Sequence, residues 1–184
     1  LALELAFWPA NLTPWLGFGR VRPLHTSTVV LAFAGNMIFA GIHYSSQRLL
    51  RVRLPSGRLA ALHFWSWQLV AAAAALTLPL GYSQGVKYGE LEWPLDLALA
   101  LSWLAFAANF AWMLRRRSQR RLHPSIWFYV ATIIAVITLH VAGSLAVPVS
   151  LLKSYTLFAG VQDALIQSWC GRGAVAFFLV VPVL

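Results

Sequence analysis

The stretch Leu69-Val70-Ala71-Ala72-Ala73-Ala74-Ala75-Leu76-Thr77-Leu78-Pro79-Leu80 decides what kind of fold this chain can adopt. It carries no charge and consists mainly of Ala and Leu, the strongest helix formers. It also continues an apolar run that begins at Ala61, so the segment 61–82 is long enough to span a bilayer. A helix needs about 20 apolar residues to cross roughly 30 Å of hydrocarbon. Lipid offers no partner to an open backbone, so such a segment must satisfy its own N–H and C=O groups as a helix. Four further stretches read the same way: 24–46, 95–114, 125–147 and 162–184. The run 1–10 reads as the last turns of a preceding helix. The expected fold is therefore all-α. It is a transmembrane helix bundle of five complete spans plus the end of another, with 1–184 forming one transmembrane helical domain.

Composition excludes the alternatives. The 184 residues are 60% hydrophobic and 10% charged, against roughly a quarter charged in soluble domains. The net charge of +9 suggests nucleic acid only until the charges are located. Arg48, Arg51, Arg53 and Arg58 lie between the first two complete spans, and Arg115, Arg116, Arg117, Arg120 and Arg121 between the third and fourth. Basic loops between apolar spans are what membrane topology requires, so membrane lipid and not nucleic acid is the expected surrounding. Loops 47–60 and 115–124 are expected to face the cytoplasm, and loops 83–94 and 148–161, with only Lys87 and Lys153, the outside. Trp8, Trp15, Trp65, Trp67, Trp93, Trp112 and Trp127 fall near expected span ends, where indole prefers to sit. One cysteine, Cys170, excludes a disulfide framework. No cleavable signal peptide is expected, and both ends lie within apolar runs, as if cut from a longer chain.

Polar residues inside spans are the candidates for function. His25 lies just inside the outer end of its span, where a neutral imidazole can ligate haem iron or serve as a satisfied structural residue. At α-helical periodicity Ala32 and Asn36 share its face, and His43 returns to it about 27 Å further along. His43, His63 and His123 are expected to be solvated near the cytoplasmic loops. His140 lies roughly 10 Å below the outer end of its span. It is either a second haem contact opposite His25 or a hydrogen-bonding partner of a neighbouring helix. Arg172, in mid-span, needs a partner from another helix, another chain or a watery cavity, because an unpaired guanidinium there costs several kcal/mol. Glu90 and Glu92 can bind a cation or a basic partner, or simply form a solvated cap with Asp96. Gly35, Gly41 and Gly143 permit close helix approach. No nucleophile triad, phosphate loop or spaced His/Cys cluster is present in the pattern. A transporter is disfavoured, since only Arg172 marks the midplane.

Several segments together resemble a known family. Arg22-Pro23-Leu24-His25-Thr26 followed by Phe33-Ala34-Gly35-Asn36 resembles the second transmembrane helix of the catalytic subunit of cbb3-type cytochrome c oxidases. The likeness continues through Glu90-Leu91-Glu92-Trp93-Pro94, Trp127-Phe128-Tyr129 and Leu139-His140 to Leu145-Ala146-Val147-Pro148-Val149-Ser150. Lys153-Ser154-Tyr155 and Gly160-Val161-Gln162-Asp163-Ala164 extend it into the last span. The resemblance implies the N-terminal half of the haem–copper oxidase subunit I fold. It also implies that His25 is an axial ligand of the low-spin haem b. Partners would be the other respiratory oxidase subunits, including c-type cytochromes, in a bacterial inner membrane.

The departures from the family pattern are as informative. Where the family reads Trp-Tyr-Gly-His-Asn-Ala-Val, with the histidine a copper ligand, this chain has Trp169-Cys170-Gly171-Arg172-Gly173-Ala174-Val175. Arginine stays protonated and cannot ligate copper, so copper is not expected in this chain. Gly143 and Ser144 replace two asparagines of the family. The family is one of proton-translocating oxidases, but this chain alone lacks the dioxygen-reducing site. Two readings follow: a subunit-I-like component holding haem b through His25, or a non-catalytic structural or assembly subunit without cofactor.

Overall fold

The computed structural model describes residues 13–84 and 89–183; the run 1–10, expected to end a preceding helix, lies outside them. Five helices are each long and apolar enough to cross a membrane: α1 Phe18–Leu50, α2 Gly57–Leu80, α3 Trp93–Arg115, α4 Pro124–Gly143 and α5 Gly160–Val183. Between α4 and α5 a short antiparallel hairpin pairs β1, Ala146–Ser150, with β2, Lys153–Thr156.

Helical periodicity explains which faces pack. On α2 the buried stripe is His63, Trp67, Val70, Ala74 and Leu78, and on α3 it runs Asp96, Leu99, Trp103, Phe106, Phe110 and Met113. Both recur every three or four residues, the spacing that lets facing helices interdigitate. α2 and α3 share an extensive seam. At its centre Phe39 of α1 meets His63, Trp67, Trp103 and Phe106 edge-on at centroid distances of 4.4 to 5.0 Å. Such tilted contacts place positive ring edges against negative faces.

Helix ends follow local chemistry. Ser56 caps α2 by accepting from the Leu59 N–H, and Gly81 closes its other end with left-handed backbone, φ 88°. Arg20 donates to the Pro79 carbonyl at 2.8 Å, setting a cation against the negative end of that helix. At the opposite end of α2, Asn109 of α3 donates to the Ser56 carbonyl and accepts from its N–H.

Several positions differ from expectation. α1 begins at Phe18 rather than 24 and reaches Leu50, so the arginine loops shrink to 51–56 and 116–123. α4 stops at Gly143 instead of 147, because Ala146-Val147-Pro148 is drawn into the hairpin. Trp67 is no interfacial residue: it is buried in mid-helix, and its indole N–H donates to the Leu31 carbonyl at 2.8 Å.

Candidate functional site

α1 is not wound uniformly. Thr28–Gly35 is π-helical, between α-helical Phe18–Ser27 and Asn36–Leu50. The wider turn changes the angular register, so the expectation that Ala32, Asn36 and His43 fall on the face of His25 does not hold; it assumed 3.6 residues per turn throughout. The π turn is gripped from α2. A Cβ built on Gly35 would lie 2.5 Å from Trp67 Cζ2, so only glycine lets the indole reach the Leu31 carbonyl. Asn36 donates to Ala32 O and accepts from Gln68 at 2.7 Å, giving a second anchor.

His25 sits three residues before this turn. It is exposed, and no hydrogen bond to its ring occurs among the described residues. Next to it Thr26, with Val30 and Leu31, lines a cavity of about 190 Å³ closed by α3, α4 and α5.

His140 borders the same cavity from α4 but is differently engaged. Its Nε2 meets the Asp96 carbonyl at 2.9 Å. Of the two arrangements open in the sequence, the geometry contains the interhelical hydrogen bond. The early end of α4 also puts His140 only three residues from the terminus, roughly 5 Å deep and not 10. Cys170 of α5 packs against Gly143 and donates to Leu139 O at 3.3 Å.

The acidic segment corrects the expectation of a solvated cap. Glu92 is 2% and Asp96 5% exposed: Glu92 is the N-cap of α3 and meets the hairpin, and Asp96 lies in the helix's first turn. Gln84 donates to Ser154 Oγ, which donates to Glu92 Oε2 at 2.9 Å, and Trp93 donates to Ser150 O. Glu92 Oε1 and Asp96 Oδ2 have no hydrogen-bond partner among the described residues. Glu90, just outside the helix, is half-buried; burial raises its carboxyl above the ordinary value, partly opposed by Arg22. Among the described residues no group of three His, Cys, Asp or Glu could hold a metal ion.

At the arginine-rich end, His63 is 4% exposed and His43 half-buried beside Phe106, with centroids of the two imidazoles 6.1 Å apart. Both were expected in solvent. Sequence distance from a loop misled: His63 lies on the buried stripe with Trp67 and Val70, and that spacing was available to show it. His123 is exposed, as expected, and caps α4 through Nδ1. Arg172 is exposed on α5 beside a groove that includes Gln167 and Ser168.

These features define a polytopic helical membrane protein with an exposed imidazole, His25, on its flank. A family model for cytochrome c and quinol oxidase polypeptide I matches residues 1–184. The chain is 45% identical over 181 residues to the cbb3-type cytochrome c oxidase subunit CcoN1 of Stutzerimonas stutzeri, covering 97% of this chain and 38% of that protein. It is also 45% identical over 181 residues to a cytochrome c oxidase subunit 1 homolog of Agrobacterium tumefaciens (strain T37), covering 97% and 34%. Against cytochrome c oxidase subunit 1 of Rhodobacter capsulatus it is 44% identical over 185 residues, covering 97% and 35%. The chain belongs to the cytochrome c and quinol oxidase polypeptide I family of haem–copper oxidases, as its likeness to the cbb3 subunit had implied. It spans little more than a third of the length of the curated relatives it matches.

Proposed function

We propose that this chain is the low-spin-haem-binding portion of a cbb3-type subunit I in a bacterial inner membrane. Loops 47–60 and 115–124 face the cytoplasm in this reading. The observation that carries it is His25: an exposed imidazole within a matching motif, with no hydrogen bond to its ring among the described residues. That donor suits haem iron. Haem b, when bound, supplies one-electron transfer. The chain's own contribution is to fix His25 on α1 ahead of a π turn clamped by Trp67 and Asn36. His140 holds the Asp96 carbonyl of α3 through Nε2, which favours a second axial ligand from elsewhere in the complete subunit.

Arg172 does not fit copper. A guanidinium offers five N–H donors and no lone pair to a metal. Dioxygen reduction therefore needs residues beyond this chain, and electrons reach it through c-type cytochrome subunits of the complex. The same arginine favours a second reading, a structural or assembly subunit without cofactor.

His25→Ala distinguishes the two. The reduced low-spin haem b spectrum and the pyridine haemochrome yield should disappear from the purified protein, while its amount in the membrane stays the same. An unchanged haem yield removes the haem assignment and leaves the structural reading.

A further inference from the structure

The two arginine loops lie far apart in sequence but form one surface. The Ser118 N–H donates to the Leu50 carbonyl at 3.2 Å, so Arg51 and Arg117 directly flank a single hydrogen bond. Arg51 has left-handed backbone, φ 51°, the one non-glycine residue so placed among those described. A side chain makes that conformation unfavourable, so something must hold it. Gln47 does: its carbonyl accepts from Val52 N–H, and its Oε1 accepts from Leu54 N–H at 3.2 Å. The turn leaves the Arg51 guanidinium exposed.

Among the described residues no carboxylate shares this end of the molecule. Glu90, Glu92, Asp96 and Asp163 all belong to the opposite end, near the starts of α3 and α5. Every basic residue of the two loops is arginine, and the lysines, Lys87 and Lys153, lie in the other loops. Membrane orientation asks only for positive charge, which lysine supplies equally. A planar fork of N–H donors is instead suited to phosphate oxygens. Beside them, Arg48 stacks over Tyr44 at 5.3 Å and Arg116 over Trp112 at 4.8 Å. Both rings are exposed, at the level where amphipathic aromatics meet the boundary between acyl chains and headgroups. Guanidinium groups above aromatic rings follow the order in which a phospholipid presents phosphate and then acyl chain.

We propose that this joined surface is a binding site for an anionic phospholipid, with Arg51 and Arg117 clasping the headgroup phosphate. The proposal does not depend on haem binding. It is tested on the purified full chain in neutral detergent, with phosphatidylglycerol as the probe and native mass spectrometry as the readout. R51G/R117Q removes both charges while glycine keeps the left-handed turn; R120Q/R121Q removes the same charge elsewhere on the same loops. The first should weaken phosphatidylglycerol binding about tenfold or more, at about 1 kcal/mol per interfacial arginine. The second should weaken it less than about threefold. R51G alone, compared by circular dichroism, shows whether the turn survives. Equal losses in the two double variants would mean diffuse attraction and overturn the site. Equal binding of phosphatidylcholine, or displacement by millimolar inorganic phosphate, would overturn the anionic lipid as its occupant.

Discussion

α3 and α5 are nearly alike as strings of letters and opposite as parts of the molecule. Their lengths are 23 and 24 residues and their mean hydropathies 1.7 and 1.5, yet 44% of the α3 window is buried against 11% for α5. α3 carries Asp96, Ser102 and Asn109 on its buried stripe, and the latter two are hydrogen-bonded to α2. In α5 the buried residues are Gly171 and Phe178, and Arg172 is exposed. Hydropathy measures fitness for lipid, and a core helix and a flank helix are equally fit. What separates them is the spacing of large side chains able to interdigitate.

The sharpest way to break this contrast is truncation on each helix. Phe106→Ala on α3 should cost about 3 kcal/mol, the low end of the range for aromatic truncation because lipid rather than water is the reference outside. Leu165→Ala on α5, where the side chain is exposed, should stay within about 0.5 kcal/mol. Reversible unfolding in mixed micelles measures both, and equal costs would abolish the distinction between core and flank.

A smaller difference is expected between two glycines. Gly35→Ala drives a Cβ into the rigid Trp67 ring and should cost about 1–3 kcal/mol. Gly173→Ala meets the ends of Leu139, which can swing aside, so its effect should be well below that of Gly35→Ala. Thermal melts in one detergent compare them directly.

Arg172→Leu probes the flank alone. With no ion-pair partner among the described residues, the chain in lipid should be unchanged or slightly more stable. Within an assembled complex that supplies a carboxylate, the same change should destabilise. Melting the variant with and without partner subunits separates these outcomes.

The smallest effect concerns Glu90. Its carboxyl is raised by burial, so the folded protein holds the proton more tightly than the unfolded chain. Stability should therefore fall as pH rises from the ordinary glutamate value through the raised one, then level off. Glu90→Gln should flatten that decline, read from melting temperature against pH.

Much of the candidate site was legible in advance. The motif around His25 drew attention to the first part of α1, and Arg172 stood out as a charge in an apolar run. The burial of His63, Glu92 and Asp96 was legible in principle, because each lies on or beside a stripe with a spacing of three or four. Their nearness to loops concealed it. The π turn of α1 was not legible, since Thr28–Gly35 has no proline or polar insertion to announce it. The group that packs into it, the indole of Trp67, comes from another helix.

The sequence motifs identified the family, and composition and pattern were enough to determine five membrane-length helices and their charged loops. Those properties follow from the transfer energy of each segment into lipid, which adds up residue by residue along the chain. Which helix is core and which is flank, where α1 changes its winding, what His140 binds and how two arginine loops become one surface were decided only by the packed structure. Each depends on groups from different helices meeting at contact distance, and no local stretch of sequence carries that information.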